Sequence, residues 1–339
     1  MKEIIEKVAE GKDLTEEEAK KAMGIMLSGE ATQAQIGSLL TALRMKGETI
    51  DELTGFASVL KEKASTISPK DGNYVDFVGT GGDGTFTFNI STTGALVAAG
   101  AGVHIAKHGN RSISSKSGAG DVLEALGVNI MAKPEVVEKC VDEAGIGFMF
   151  APSFNRTMRF VGQARKEMGI RTVFNMLGPL SNPSRAKKML VGVYSPEITE
   201  KMAIVMSRLG VRRAFVISGR DGMDEFTTTS ATVVSEIKDG EVATYEVSPE
   251  EFGFPRVSLK DLKGGDGVEN AEITRRILKG EKGPKRDIVL FNAGAALYIA
   301  GAGDSIKEGI RMAEESVDSG KAMAVLGALV EMSNVNTLQ

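Results

Sequence analysis

GTGGDGTFTFNIST, residues 79–92, is the stretch on which the fold turns. It carries a G-x-G-x-x-G spacing at Gly79, Gly81 and Gly84, follows the apolar run VDFV (75–78), and leads into TGALVAAGAG. That last stretch reads as a helix starting near Ser91 or Thr92, either of which is a good N-cap. A strand, a glycine loop and a helix in that order aim backbone N–H groups at an anion. A dinucleotide site would need a carboxylate about 20 residues further on, at the end of the next strand, to hold the ribose. Here that strand, GVHIA (102–106), ends in Lys107-His108-Gly109-Asn110-Arg111, although a cation there would still suit a 2′-phosphate. A P-loop needs Gly-Lys-Ser/Thr at its end, and this loop lacks it. Both common nucleotide readings lose ground.

A second loop takes their place. KHGNRSISSKSGAGDVLEAL (107–126) sets Lys107, Arg111 and Lys116 among Ser112, Ser114, Ser115 and Ser117, then enters a helix. Cations, hydroxyls and a helix start suit a phosphate-rich ligand, where a lone basic loop would be read as a solvated surface. Asp83 in the first loop calls for a cation, a ribose hydroxyl or a metal-bound water. The pair Asp224-Glu225 lies in SGRDGMDEFTTTS (218–230), just after the strand RAFVIS (213–218). Paired carboxylates beside a phosphate ligand suit magnesium, which binds through one or two carboxylates plus substrate oxygens.

The rest of the chain supplies the frame. Thr15 with Glu18, Thr32 with Gln35, and Thr49 with Glu52 each fit a capping box, so the first ~65 residues read as a small all-α unit with Gly29 and Gly47 as helix stops. From Tyr74 onward short β-rich runs alternate with helical stretches: VDFVG (75–79), GVHIA (102–106), FMFA (148–151), MLVGVY (189–194), RAFVIS (213–218), ATVVSEI (231–237) and IVLFNAG (288–294). The fold class expected is α/β: a small all-α domain, residues 1–66 joined by part of 155–185, plus a larger α/β domain, 74–339, with a mainly parallel central sheet. One cysteine, Cys140, excludes an intrachain disulfide, and two histidines exclude a His-rich metal site. The net charge of −4 argues against a dedicated nucleic-acid binder. MKEIIEKVAEGKDL lacks a signal-peptide core, and the longest uncharged run (93–106) is too short to span a membrane, so a cytoplasmic location is expected.

Read together, SGEATQAQIGSLLTALRMKGET (28–49), DFVGTGGDG…TFNIST (76–92), KHGNR…SGAGDVLEALG (107–127), RTVFNMLGPLSNP (171–183), DGMDEF (221–226) and GGDGVENA (264–271) resemble the anthranilate phosphoribosyltransferase family. A phosphorylase of pyrimidine nucleosides shares the fold and a KHGN-like loop but lacks this set. The resemblance implies a nucleoside phosphorylase/phosphoribosyltransferase-like fold and a homodimer packed through the helical domain. It also implies transfer of phosphoribosyl from phosphoribosyl pyrophosphate to the amine of anthranilate, in tryptophan biosynthesis. Carried over by motif, it places phosphoribosyl pyrophosphate against Gly79, Gly82, Asp83, Thr87, Asn89, Ile90, Ser91 and Thr92. The second loop would add Lys107, His108, Gly109, Asn110, Arg111, Ser112, Ile113, Ser114, Ser115 and Ala119. Magnesium would lie on Ser91, Asp224 and Glu225, and anthranilate against Gly79, Asn110 and Arg165; Lys107, Asn110 and Arg165 would be the catalytic set. Two positions depart from the family. Its usual histidine-proline pair falls in APSFNRTMR (151–159), where this chain has Phe154-Asn155-Arg156-Thr157, and its frequent serine at 119 is Ala119. The alternatives are a same-fold enzyme with another acceptor and a non-catalytic nucleic-acid-binding paralogue.

Overall fold

In the computed structural model, which describes residues 1–70, 72–112 and 116–335, the chain opens with four helices. They are α1 (Lys2–Ala9), α2 (Glu16–Ser28), α3 (Gln33–Lys46) and α4 (Ile50–Lys63). All three expected capping boxes form: the hydroxyls of Thr15, Thr32 and Thr49 accept from the N–H groups of Glu18, Gln35 and Glu52. Met23, Met26, Ile36, Leu39, Leu40, Leu43, Leu53 and Phe56 close the core between these helices.

Seven strands follow: β1 (Tyr74–Gly79), β2 (His104–Gly109), β3 (Ile146–Phe150), β4 (Lys188–Gly192), β5 (Arg213–Gly219), β6 (Thr232–Lys238) and β7 (Glu241–Val247). They form one sheet in the order β3-β2-β1-β4-β5-β6-β7, parallel from β3 to β5 and antiparallel beyond. The remaining helices are α5 (Ile90–Gly100), α6 (Ala119–Ala125), α7 (Pro134–Ala144), α8 (Ala151–Phe154), α9 (Arg159–Met168), α10 (Val173–Leu180), α11 (Thr199–Arg208), α12 (Gly267–Leu278), α13 (Pro284–Ala300), α14 (Ile306–Asp318) and α15 (Lys321–Ser333).

Strand periodicity divides the core in two. Val75, Phe77, Leu190, Phe215 and Ile217 face α5 and α13, while Val78, Met189, Val191, Ala214 and Val216 share the other core with the helical unit. Residues 155–185 lie on that second side. Gln33 of α3 donates to the Phe160 carbonyl at 3.1 Å and accepts from the Ala164 N–H at 2.9 Å, tying α9 down. The chain runs out from β1 to β2 and β3 and returns at β4, so the carboxyl ends of β1 and β4 flank the switch point where such sheets bind ligands.

Two expectations about elements change. IVLFNAG (288–294) is not a strand but the middle of α13, where every one of its residues is buried. A helix packed on all sides has no polar stripe, so its pattern cannot be told from that of a buried strand. Conversely, β7 was not expected. It follows a tight turn at Asp239 and Gly240, both at positive φ, and as the outer strand it is mostly exposed and polar.

Glu52 illustrates how tightly the helical unit is tied. Fully buried, it accepts from the Leu14 N–H (2.9 Å), the Thr49 N–H (2.8 Å) and the Lys46 ammonium (3.0 Å). Glu52→Ala should cost about 2–4 kcal/mol in chemical denaturation, because it leaves two backbone donors without their acceptor and takes one of two carboxylates from the Lys46 ammonium, which keeps Asp13.

Candidate active site

The site is built on a pair of glycines. Gly79 ends β1, Gly192 ends β4, and the two are register partners. The loop after β5 folds back over them. A Cβ on Gly79 would lie 2.5 Å from the Asp224 carboxylate, and one on Gly192 would lie 1.6 Å from the Asp224 carbonyl. Asp224 can therefore rest on the sheet end only where both strands finish without side chains. The Gly81 N–H donates to its Oδ2 at 2.9 Å, joining this loop to the glycine loop. Glu225 reaches the other end of that loop, where its Oε1 accepts from the Ser91 N–H (3.1 Å) in the first turn of α5. That is the helix end at which negative charge is favoured.

Lys107 enters from β2. Strands β1 and β2 pair at Tyr74↔His104 and Val75↔Ile105 and stay side by side beyond that without further ladder pairing. Two side chains fill the gap: the Lys107 ammonium donates to the Phe77 carbonyl, and the Asp76 carboxylate accepts from the His108 N–H at 3.1 Å. The ammonium also lies 3.4 Å from the Ser91 hydroxyl. Burial pulls Lys107 below its ordinary value, opposed by the negative charges of Asp76, Glu225 and Asp224. Burial, reinforced by Asp83, raises Asp224 to about 7, although the edge of the residue reaches the cleft. Burial, reinforced by Asp224, pushes Glu225 well above the usual carboxylate range. Among the described residues no cluster of three or more His, Cys, Asp or Glu could hold a metal ion by itself. Two carboxylates and the Ser91 hydroxyl nonetheless fit a hard cation that takes its other oxygens from phosphates and water, and the energetic cost of ionising those acids together is what such a cation would relieve.

The structure brings together most of the expected residues. Gly79, Gly82, Asp83, Thr87 and Asn89 line the first loop, and Asp83 is engaged by the Thr85 N–H at 3.2 Å. Ile90 and Thr92 are buried at the start of α5, so only their backbone can face a ligand. His108 is buried too; burial and then Lys107 lower its imidazole to about 4, which leaves it neutral, and Gly109 ends the strand. Asn110 and Arg111 follow in the loop. The Arg111 guanidinium grips Glu124 through two bonds of 2.7 and 2.8 Å, while Asp121 accepts from the Ser112 N–H at 2.9 Å. Ala119 opens α6. Ile113, Ser114 and Ser115 lie outside the described residues.

Arg165 stands apart, in the last turn of α9. Its guanidinium lies 5.0 Å from the centre of the Phe174 ring, and burial alone pulls it down, with no carboxylate opposing. A few residues on, Arg171 donates to the Gly82 carbonyl and stacks over Tyr194 at 4.5 Å, so the segment between α9 and α10 reaches the first loop. Reading the sequence missed Arg171, Asp76 and Asn292. Asn292, fully buried on α13, accepts from the Phe226 N–H (2.9 Å) and donates to its carbonyl (2.8 Å), which fixes the residue after Glu225. A lone Asp inside a strand and a lone Asn inside an apolar run were the signs of Asp76 and Asn292, while Arg171 opens RTVFNMLGPLSNP with nothing to mark its contact.

This fold and this anion-centred cleft define a glycosyl transferase. The helical bundle domain of the glycosyl transferase family matches residues 2–64, and its a/b domain matches 71–323. An anthranilate phosphoribosyltransferase from Acetivibrio thermocellus is 56% identical over 98% of this chain and 97% of its own. The crystal structure of the enzyme of that name from Thermus thermophilus superposes with a TM-score of 0.93 at 43% identity, covering 98% and 99% of the two chains. The Saccharomyces cerevisiae enzyme, in complex with PRPP and Mg, gives 0.87 at 30% identity over 95% and 94%. The chain belongs to the anthranilate phosphoribosyltransferase family. Among the described residues no helix is long and apolar enough to cross a membrane.

The raised acid has a testable sign. Folded Asp224 titrates near 7 against an ordinary 3.8, so between those values the folded state holds a proton that the unfolded state has released, and stability falls as pH rises. With divalent cations chelated, Asp224→Asn should melt above wild type at about pH 8, the gap closing toward about pH 5. Thermal melts across that range check it.

Proposed function

We propose that the chain carries out its family's reaction in the cleft over Gly79 and Gly192, transferring phosphoribosyl from phosphoribosyl pyrophosphate to the amine of anthranilate in tryptophan biosynthesis. The observation that carries this reading is the convergence of the start of α5, Lys107 and the Asp224-Glu225 pair at the sheet's switch point. The amine nitrogen attacks the anomeric carbon, the bond to pyrophosphate breaks, pyrophosphate leaves with the electron pair, and the amine loses a proton. Lys107 and backbone N–H groups at the start of α5 oppose the charge that gathers on the leaving group. Magnesium, held by Ser91, Asp224 and Glu225, supplies further neutralisation when bound. An aromatic amine is largely neutral at pH 7, so the site's task is mostly positioning. Asn110 and Gly79 flank the acceptor. Arg165 receives its carboxylate, a role that suits a half-buried guanidinium with no acid opposite. Ala119 contributes through its backbone; Phe154-Asn155-Arg156-Thr157 stands where the family's histidine-proline pair usually falls, and of these Phe154 and Asn155 are buried, leaving Arg156 and Thr157 to meet the acceptor.

The separate matches over 2–64 and 71–323 support a break near residue 70, between a helical domain, 1–66, and a catalytic domain, 74–339; counting part of 155–185 with the helical domain rests on packing, through the bonds of Gln33 to Phe160 and Ala164. Pairing of two copies through the helical domain is supported by a groove between α1 and α3 lined by Val8, Ala9, Thr41, Ala42 and Met45, the last 83% exposed. A cytoplasmic location fits this chemistry.

The direct test mixes protein, phosphoribosyl pyrophosphate, magnesium and anthranilate and follows the loss of anthranilate fluorescence. Pyrophosphate release with another acceptor, and none with anthranilate, would overturn the assignment. Arg165→Ala should raise KM for anthranilate about 10- to 100-fold, the loss expected for a charge-assisted hydrogen bond, and leave KM for phosphoribosyl pyrophosphate nearly unchanged. Equal effects on both substrates would remove Arg165 from the acceptor site. Asp224→Asn with Glu225→Gln should keep the fold by circular dichroism yet need far more magnesium for half-maximal rate; an unchanged magnesium titration would mean that the pair joins the loops without holding the metal.

A further inference from the structure

We propose that Asn270 is a positioning residue for the phosphoribosyl pyrophosphate cradle, holding its two loops together by locking the side-chain amide of Asn89. The inference rests on the cradle reading above and assigns the motif that reading leaves unused, GGDGVENA (264–271). Part of that motif is a helix start: the Asp266 Oδ1 accepts from the N–H groups of Val268 and Glu269, both at 2.9 Å, and caps α12. Asn270 lies one turn in and is only 1% exposed. Its Oδ1 accepts from the Gly265 N–H at 2.8 Å, and its Nδ2 donates to the Asn89 Oδ1 at 2.9 Å. The same Asn89 oxygen accepts from the Ser117 hydroxyl at 3.1 Å, and the Asn89 Nδ2 donates to the Ser117 carbonyl at 3.3 Å. Both ends of one amide on the first loop thus bind Ser117 of the second, and Asn270 fixes which way that amide points.

Asn89 is diverted to this work from its ordinary one. It is the N-cap of α5, where an asparagine side chain normally accepts from its own helix's first N–H groups. Here it makes no such bond, and the Ser91 N–H is taken by Glu225. The helix end is thereby left to acidic groups while Asn89 joins the loops. The segment before α12 reinforces the first loop: the Phe88 N–H donates to the Leu262 carbonyl at 3.2 Å and the Gly264 N–H to the Phe86 carbonyl at 3.1 Å. One turn beyond Asn270, the Thr274 hydroxyl meets that of Thr93 at 2.9 Å; Thr93 also donates to the Asn89 carbonyl at 3.0 Å, so this contact borders the lock without involving the Asn89 side-chain amide.

That neighbour supplies the control. Asn270→Leu keeps the branched shape of the side chain and removes both amide functions; Thr274→Val removes a buried hydrogen bond of the same contact but leaves the Asn89 side-chain lock. Affinity for phosphoribosyl pyrophosphate with magnesium is read by calorimetry without acceptor, alongside KM for anthranilate and the melting temperature. Asn270→Leu should weaken phosphoribosyl pyrophosphate binding about tenfold or more and leave KM for anthranilate within about twofold, whereas Thr274→Val should lower the melting temperature with binding unchanged. Asn270→Asp, which keeps the acceptor for Gly265 and loses the donor to Asn89, should repeat the binding loss and covers the case in which the leucine variant does not fold. In a double-mutant cycle with Asn89→Ala the two losses should fall well short of adding. Binding within about twofold of wild type in the Asn270 variants, or losses that add with Asn89→Ala, would overturn the proposal. Wild-type protein that binds no phosphoribosyl pyrophosphate would instead overturn the cradle reading itself.

Discussion

Asp224 rests on two strand ends that have no side chains, and much of the site depends on that contact. Gly79 and Gly192 are partners across β1 and β4, and a Cβ on either would strike Asp224. Because the carboxylate lies this low, Gly81 can donate to it and Glu225 can reach the first turn of α5. Raising the loop by the thickness of a methyl group would separate both acids from the glycine loop at once. The buried clamp from Asn292 to the backbone of Phe226 holds the far side of the same loop. The position of the metal-fitting pair is thus set by backbone packing below and by one amide above, rather than by other charges.

Charge then works in a confined space. Three acids, Asp83, Asp224 and Glu225, and one buried lysine share a region where interactions are much stronger than in water. Asp83 makes Asp224 harder to ionise, Asp224 and Asp83 do the same to Glu225, and Lys107 offsets this only in part. A cleft with that balance favours ligands that bring both signs, such as a polyphosphate together with a divalent cation, over a bare anion.

Local chemistry was legible in the sequence; partners distant along the chain were not. The capping boxes at Thr15, Thr32 and Thr49 are short patterns with a local cause, and each forms as read. The two loops were recognisable because glycines, hydroxyls and cations cluster within a few residues of a strand end. Asp76, Asn270 and Asn292 act across 32, 181 and 66 positions of sequence, and nothing beside them marks their partners. The misread stretch at 288–294 failed for a related reason: α13 is buried on every side, so the polar stripe that identifies a helix is missing. The outer strand β7 escaped for the opposite one, since exposed residues such as Glu241, Thr244 and Glu246 give it no apolar alternation.

The missing ladder between β1 and β2 reaches beyond the placement of Lys107. Past Val75↔Ile105 the ladder is replaced by side chains: an ammonium on the Phe77 carbonyl and a carboxylate on the His108 amide. Backbone protection in this corner of the sheet is therefore lent by ionisable groups rather than by neighbouring peptide units. Burial raises the Asp76 carboxyl to about 6, close enough to neutrality for its proton to come and go. The acceptor that holds the His108 amide is therefore an ionisable group, where the neighbouring β2–β3 ladder uses peptide carbonyls.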